Sequence, residues 1–284
     1  MNVILTTDAD RLDARFRQAM DIPLTEEERL RALLQALMGE LLARRDLKYD
    51  PKAQSMLLAC RLRLRSLQNL LLGSRSEATG GWDSPVDCSA QARLSVSRRS
   101  RCELRELTED LCAAADLLLH PLGRVVRFEA PEEAAEALCA PRDISWAVLE
   151  LICNAARHCH GEEIKVSVDL KRQSRRHRPQ ACVSSIECKG ALDLELLHAA
   201  ASREGSGVSA LLRTAWLHHG AILWLQRDGM SVAALRVPLA GGRGQEAINR
   251  GADWYDAPDY VELLSDRCSQ VYIALAPAIA MVGA

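Results

Sequence analysis

Residues 149–158 read LELICNAARH and residues 203–220 read REGSGVSALLRTAWLHHG, and these two stretches decide the fold of this chain. The first has helical periodicity, and its polar residues at four-residue spacing are Glu150, Asn154 and His158. Side chains at that spacing lie on one face of a helix. The second has a glycine-serine-glycine turn before another helical run, where backbone amides can approach phosphate oxygens. Together they predict a nucleotide site.

Composition sets the bounds on fold and partners. The chain has 284 residues, of which 48% are hydrophobic and 26% charged, enough to bury a full core in one large or two modest domains. The formal net charge is -2 and the sequence pI is near 6.4. Because no broad positive field accompanies such a balance, we expect no nucleic-acid partner.

The cellular setting follows from hydropathy and cysteine usage. No apolar run is long enough to cross a bilayer, and acidic residues stand where a secretory signal would be basic and apolar. We therefore expect a cytoplasmic protein without a membrane span. The ten cysteines are scattered without a CxxC pair, which favours buried free thiols. A metal site at Cys159 and His160, beside His158, would lack further ligands nearby.

The chain divides by pattern into five segments. They are an N-terminal segment at 1–24, a helical hairpin at 25–72, a linker at 73–102, a second domain at 103–240 and a C-terminal extension at 241–284. Each arm of the hairpin carries one continuous apolar stripe, from about 25 to 45 and from about 51 to 72. Such arms pair across a dimer as a four-helix bundle, so we expect a homodimer through the hairpin.

The second domain alternates helices and strands. Its predicted order is helix, strand, helix, strand, strand, helix, strand, strand. Asp143 is expected to cap the helix of residues 149–158. The last two strands are expected to form a hairpin that turns at Asp228 and Gly229. In the C-terminal extension, residues 259–264 and 270–275 are expected to be short helices or strands, which tyrosines and Trp254 pack onto the body or onto a second subunit.

This order and these motifs resemble the ATP-binding domain of the GHKL superfamily, the fold of gyrase, MutL and the histidine kinases, over roughly residues 103–239. LELICNAARH stands at the asparagine box, and residues 203–225 stand where the kinases have a glycine pair, a helix and an HGG turn into a strand. The resemblance implies an α+β fold, a Bergerat-type two-layer sandwich with a mixed, mostly antiparallel sheet covered by helices on one face and preceded by the hairpin. It also implies ATP and Mg²⁺ as cofactors.

The resemblance assigns roles to individual residues. Asn154 matches the asparagine that holds magnesium between the phosphates, and Glu150 matches the acid that orients or deprotonates the nucleophile. His158 stands where a polar side chain reaches the phosphates. The phosphate-binding turn corresponds to Gly205, Ser206 and Gly207. Plainer readings remain for three of these positions: Glu150 as a solvated glutamate, His158 as a helix-end cation, and the turn as a simple loop before a helix.

Two departures from the family pattern bear on activity. Where the family has an aspartate-glycine box for adenine, this chain reads SSIECKG at residues 184–190, with Glu187 as the nearby acid and Gly190 as the glycine. Residues 25–72 contain no histidine, so the hairpin offers no phosphoacceptor for autophosphorylation. Residues 191–204, which stand at the position of the nucleotide lid, are short and have a helical pattern.

The sequence therefore supports a histidine-kinase-like ATP-binding protein of bacterial signal transduction with weakened or lost kinase activity and a protein partner in its pathway. One alternative is a pseudokinase scaffold that no longer binds nucleotide and acts through its hairpin. A third reading is an anti-sigma-type serine kinase or an ATPase of the gyrase or MutL kind, for which Glu150 is the right residue type. These sequence patterns do not decide whether the protein is an enzyme.

Overall fold

The computed structural model describes part of the chain, which falls into two compact units, Met1–Leu64 and Arg65–Ala284. The described residues are 38–39, 42–43, 51–77, 99–130, 134–171, 180–190, 193–203, 206–239, 253–267 and 269–282. Within some of these ranges, including Glu187 and Cys188, only the backbone is described.

The predicted second arm of the hairpin is a helix. Helix α1 (Pro51–Glu77) continues beyond the predicted end at residue 72 and includes the division between the two units. In the first unit its buried apolar residues recur at three- and four-residue steps, and they are Ala53, Leu57, Cys60 and Leu64. The apolar stripe read from the sequence is thus confirmed for this arm. Most of the predicted first arm lies outside the described residues, although residues 38–39 and 42–43 are helical.

The second unit is a mixed α+β structure. Its strands are β1 (Ser100–Glu103), β2 (Val125–Glu129), β3 (Glu136–Cys139), β4 (Glu163–Lys171), β5 (Gln180–Lys189), β6 (Ala221–Arg227) and β7 (Met230–Pro238). Its further helices are α2 (Leu104–Leu119), α3 (Pro141–His158), α4 (Leu194–Ser202), α5 (Gly207–Leu217) and α6 (Gln270–Val282). The eight predicted elements occur in the predicted order, and α4, in the segment with a helical pattern at 191–204, lies between β5 and α5. The short strands β1 and β3, which pair with each other, were not predicted.

The main sheet has the order β2-β4-β5-β7-β6. The β2–β4 pair is parallel, and the β4–β5, β5–β7 and β7–β6 pairs are antiparallel. Alternate residues of β4 are buried, namely Ile164, Val166 and Val168, and residues between them are more exposed. This alternation is typical of a sheet with one packed face, and helices α2, α3 and α5 contact it.

The start of α3 differs from the prediction. The helix begins at Pro141 with Ala140 as a cap that makes no side-chain hydrogen bond, so the predicted Asp143 cap is wrong. Asp143 instead lies in the first turn, where a carboxylate is favoured by the helix dipole. Proline at the first helical position explains the earlier start, because its fixed φ suits a helix and its missing N–H costs nothing there.

The turn regions around β6 follow the sequence closely. Ser206 caps α5 by accepting a hydrogen bond from the Ser209 N–H at 3.0 Å. The β6–β7 hairpin turns at Asp228 and Gly229, with φ of 50° and 76°, which confirms the predicted turn. Two central residues with positive φ make a type I′ turn, whose twist matches that of paired strands. Gly220 is required before β6, because a Cβ there would overlap the Arg236 carbonyl oxygen.

The C-terminal extension packs back on the body. Tyr260 is fully buried, and its hydroxyl lies 2.8 Å from Ser145 Oγ on α3. Helix α6 contacts α3 and α2, and its residues from Ala274 to Ala278 are buried. Trp254 is 55% exposed but stacks under the Arg101 guanidinium at 4.5 Å. Across the helices that are described, no stretch combines the length and apolarity needed to cross a membrane.

Candidate functional site

A cavity of about 250 Å³ lies between the helices and the sheet of the second unit. Helix α3 forms one wall, α4 and the start of α5 form another, and strands β5, β6 and β7 form the floor. Its apolar surface includes Leu151, Ile186, Leu197, Val208 and Trp224. Its polar side chains are Asn154, His158, Asp193 and Ser231. A mostly apolar cavity with a few convergent polar groups is typical of a small-molecule site.

Asn154 and His158 are two of the predicted site residues that the fold brings to this cavity. They lie one helical turn apart near the C-terminal end of α3, as their spacing predicts. Burial, with a smaller effect of Arg157, lowers the pKa of His158 below its ordinary value of 6.5. The ring is therefore neutral at pH 7, and it can offer one donor and one acceptor to a ligand.

Asp193 is a cavity residue that the sequence analysis missed. It lies at the N-cap of α4 and accepts a hydrogen bond from the Leu196 N–H at 2.9 Å. The signal available in the sequence was an aspartate directly before a helical run, which is a cap pattern and carries no hint of a ligand. Because the residue is exposed, its carboxylate remains hydrated.

Glu150, the predicted base, takes a different place. Its side chain is fully buried and forms an ion pair with Arg65 of α1, whose side chain is 13% exposed. Burial raises the pKa of Glu150, and Arg65, followed by Asn69 and Arg157, offsets part of that rise. Asn69 also accepts a hydrogen bond from Trp146 Nε1 at 2.9 Å. Glu150 is not among the residues that line the cavity.

The predicted phosphate turn is packed against the same carboxylate. A Cβ on Gly207 would overlap Oε2 of Glu150, so a larger residue at this position would displace the Glu150 carboxylate. Ser206 also donates its hydroxyl proton to the Ala200 carbonyl, in addition to capping α5. Gly205 lies outside the described residues. The start of α5 thus has a carboxylate of the protein itself beside it, in a position where the helix dipole favours an anion.

The remaining predicted residues lie at the end of β5. Glu187 pairs in register with Lys165 and Val232, and its side chain is outside the described part. The Gly190 carbonyl accepts hydrogen bonds from Gln226 Nε2 at 3.0 Å and Ser231 Oγ at 2.8 Å. A Cβ on Gly190 would meet only ordinary contacts, so crowding does not explain this glycine. These bonds tie the end of β5 to the β6–β7 hairpin.

The donor set does not make a magnesium site on its own. Mg²⁺ in proteins is commonly bound through one or two carboxylates together with substrate phosphates. Within the described ranges no group of three or more histidine, cysteine and acidic side chains could hold a metal ion. The carboxylate nearest in sequence to Asn154, that of Glu150, is engaged by Arg65. We therefore derive no step through a metal.

The cysteines are mostly as expected. Buried free thiols are confirmed at Cys60, Cys112 and Cys153. Burial is the main reason that the pKa of Cys153 is raised to about 11, so this thiol stays protonated at neutral pH. Cys159, which lines the cavity, is disulfide-bonded and in that state is no metal ligand.

Comparison with protein-family models and with curated proteins finds no match. Among solved structures, histidine kinase AdeS of Acinetobacter baumannii is 14% identical with a TM-score of 0.49, covering 76% of this chain and 98% of that one. A histidine kinase from Burkholderia phymatum is 16% identical with a TM-score of 0.44, covering 65% and 98%. The kinase domain of the E. coli osmosensor EnvZ is 19% identical with a TM-score of 0.39, covering 51% and 91%. The chain thus bears a distant structural similarity to histidine kinases.

Proposed function

We propose that this protein is a regulatory module of bacterial signal transduction, with a histidine-kinase-like, Bergerat-type domain, which binds a nucleotide or nucleoside without transferring phosphate. The observation that carries the proposal is the burial of Glu150 in an ion pair with Arg65. The proposal combines this loss with the cavity beside Asn154 and His158. It makes the protein a binding module rather than an enzyme.

The loss of phosphoryl transfer follows from the state of Glu150. A general base must reach the proton that it removes, within hydrogen-bond distance or through one water. Glu150 is fully buried, and its carboxylate lies between Arg65 and the first residue of α5. Withdrawing Arg65 to free the carboxylate would leave an unpaired buried charge, which costs about 3–5 kcal/mol. An anti-sigma-type kinase or an ATPase that uses this acid is therefore disfavoured.

The retained binding is argued from the cavity. Trp224, Leu197 and Val208 offer an apolar surface of the kind that an aromatic ring covers. The Asn154 amide and the neutral His158 ring offer both donors and acceptors. Asp193 adds an acceptor for an amine on the ligand. A purine nucleoside has the matching combination of a flat ring, ring nitrogens and an exocyclic amine.

Calorimetric titration tests the binding. The full chain would be titrated with adenosine, and with a non-hydrolysable ATP analogue with and without Mg²⁺. The same titrations would be made on Asn154→Asp, with Gln54→Glu as the control that makes the same amide-to-acid change on an exposed position of α1. We expect binding by the wild type and the control, and a loss of at least about tenfold in Asn154→Asp because a charge replaces a donor in the cavity.

Phosphate release tests the other half of the proposal. With γ-labelled ATP and Mg²⁺, we expect no hydrolysis above that of buffer and no labelled protein. Hydrolysis that Glu150→Gln abolishes would overturn the non-catalytic part. Measuring both readouts separates a module that binds without turnover from an active enzyme.

A second candidate function is a scaffold that has lost nucleotide binding and acts through its hairpin as a homodimer. The observation that favours it is that the predicted second arm of the hairpin is a long helix, α1. The absence of the aspartate-glycine box in the sequence agrees with it. If a folded protein binds neither adenosine nor the ATP analogue at millimolar concentration, the binding proposal fails and the scaffold takes its place.

A further inference from the structure

An ion pair of the protein lies at the start of α5, where the sequence predicted phosphate binding. The Glu150 carboxylate is the nearest group to Gly207, so close that a Cβ on this glycine would overlap its Oε2. Nη2 of Arg65, which pairs with the same carboxylate, would lie 3.1 Å from that Cβ. A helix N-terminus and an arginine both stabilise an anion beside them. Here both are therefore already matched by an anion of the protein itself.

Two backbone donors of this turn are also engaged within the protein. The Ser209 N–H donates to Ser206 Oγ at 3.0 Å, and the Ser206 N–H donates to the Arg203 carbonyl at 3.3 Å. The Ser206 hydroxyl proton is donated to the Ala200 carbonyl. A phosphate-binding turn directs such donors at the ligand instead. The bonds of this turn are thus those of a capped helix whose anion position is occupied by the protein.

The cavity wall is acidic rather than basic. Among the described residues that line it there is no lysine or arginine, and the ionised side chain is that of Asp193. Arg157 lies on the face of α3 that carries Glu150 and Cys153, at three- and four-residue steps, and its charge opposes the rise in the pKa of both. Arg203 is exposed at the C-cap of α4 and does not line the cavity. A phosphate on a ligand in this cavity would therefore meet a carboxylate and no lining cation.

We propose that this site takes a purine nucleoside without phosphate groups, because the Glu150 carboxylate occupies the position that a ligand phosphate would need. The inference rests on the proposed function and narrows its ligand class. Val208, which follows Gly207, lines the cavity, so a ligand phosphate would reach the start of α5. There it would have to separate Arg65 from Glu150, which would leave a buried carboxylate without its main partner. The two anions would also repel each other.

Calorimetric titration of the full chain with adenosine and with AMP at pH 8 measures this discrimination. At this pH the AMP phosphate carries about two negative charges, since its second pKa is about 6. In the wild type we expect AMP to bind at least about tenfold more weakly than adenosine. In Glu150→Gln the carboxylate is removed and Arg65 can pair with a phosphate, so AMP should gain at least about tenfold relative to adenosine. Glu109→Gln makes the same change at an exposed position of α2 and should leave the ratio unaltered.

The double variant Arg65→Met/Glu150→Gln identifies the source of that gain. It lacks the guanidinium, so most of the AMP affinity that Glu150→Gln gains should be lost again. Inorganic phosphate gives a readout that needs no nucleoside. At constant ionic strength, increasing phosphate should raise the thermal unfolding midpoint of Glu150→Gln, because it binds the folded state. The midpoints of the wild type and of the double variant should not respond to phosphate.

The outcomes separate this inference from the proposed function. AMP that binds the wild type as tightly as adenosine would overturn the inference and leave the proposed function in place, and this comparison depends on no variant. An unchanged ratio of the two dissociation constants in Glu150→Gln, shown by circular dichroism to be folded, would overturn it as well. A wild type that binds neither ligand would remove the proposed function, and this inference with it.

Discussion

Replacing Arg65 by methionine tests the ion pair on which the proposed loss of catalysis depends. Methionine keeps much of the side-chain volume of arginine and removes its charge. The Glu150 carboxylate then stays fully buried at the start of α5 with its main partner gone. We therefore expect a loss of stability that arises from one unpaired charge rather than from a packing defect.

The size of the loss follows from the burial of the two partners. Breaking a buried pair by removing one member costs about 3–5 kcal/mol. Arg65 is 13% exposed and Glu150 is not exposed, so water can reach one side of the pair only. We expect the lower end, about 3 kcal/mol at pH 8. Removing both charges in Arg65→Met/Glu150→Gln should recover more than half of this loss, because the buried charge is no longer present.

The pH dependence has a definite sign. Burial raises the pKa of Glu150 above its ordinary value of 4.5, and Arg65 is the largest of the effects that lower it. Without Arg65 the folded-state pKa rises further. A carboxyl group with a raised folded-state pKa loses its stabilising contribution as the pH rises from the unfolded value through the folded one. The penalty of Arg65→Met should therefore be small near pH 4 and full at pH 8.

Urea unfolding followed by circular dichroism, at several pH values between 4 and 8, measures these free energies. Arg142→Met, at an exposed position in the first turn of α3, is the matched control and should change stability by less than about 0.5 kcal/mol. A penalty below about 1 kcal/mol, or one that is the same at pH 4 and pH 8, would refute the reasoning. Glu150 would then be free to act as a base.

Three further predictions concern packing and protonation. Gly207→Ala should lower the unfolding free energy by about 1–3 kcal/mol, since its methyl group overlaps the Glu150 carboxylate; a thermal melt equal to that of the wild type would contradict this. Tyr260→Phe should cost about 1 kcal/mol in urea unfolding through the lost hydrogen bond to Ser145, and no change would mean that the bond is not formed. Burial lowers the pKa of His218 to about 3, so protonation of this group should cost the wild type about 1.4 kcal/mol of unfolding free energy for each pH unit below 6.5. In His218→Leu the unfolding free energy should depend less on pH between pH 7 and 4, and equal pH dependence in the two proteins would contradict this.

The backbone of the second unit was largely predictable because its signals are local. The Asp228-Gly229 turn, the helix after Ser206 and the helical lid segment are each encoded within a few residues, and all three are present. The start of α3 was misplaced because two local signals, Pro141 and Asp143, compete within one turn. The proline decides, as it has no N–H to satisfy.

The partners of the site residues were not predictable from the sequence. Glu150 and Arg65 are 85 positions apart, and no periodicity links a carboxylate on one helix to a particular arginine on another. Periodicity correctly placed Glu150 on α3 and could not say what its carboxylate touches. Asp193 was missed for the related reason that one aspartate can cap a helix and line a cavity at once. Site chemistry depends on such long-range contacts, which only tertiary packing determines.

Helix α6 has a consequence for how the protein folds during synthesis. Its buried residues cover α3 and α2, yet the ribosome makes them more than a hundred residues after α3. Until residues 270–282 emerge, the face of α3 around Cys153, which Ala278 of α6 approaches, stays open to water and to other exposed chains. The sheet and its helices therefore remain partly uncovered during this interval, with apolar surface of α3 and α2 exposed. Premature termination before residue 270 would make that partly uncovered state permanent and expose the chain to proteolysis.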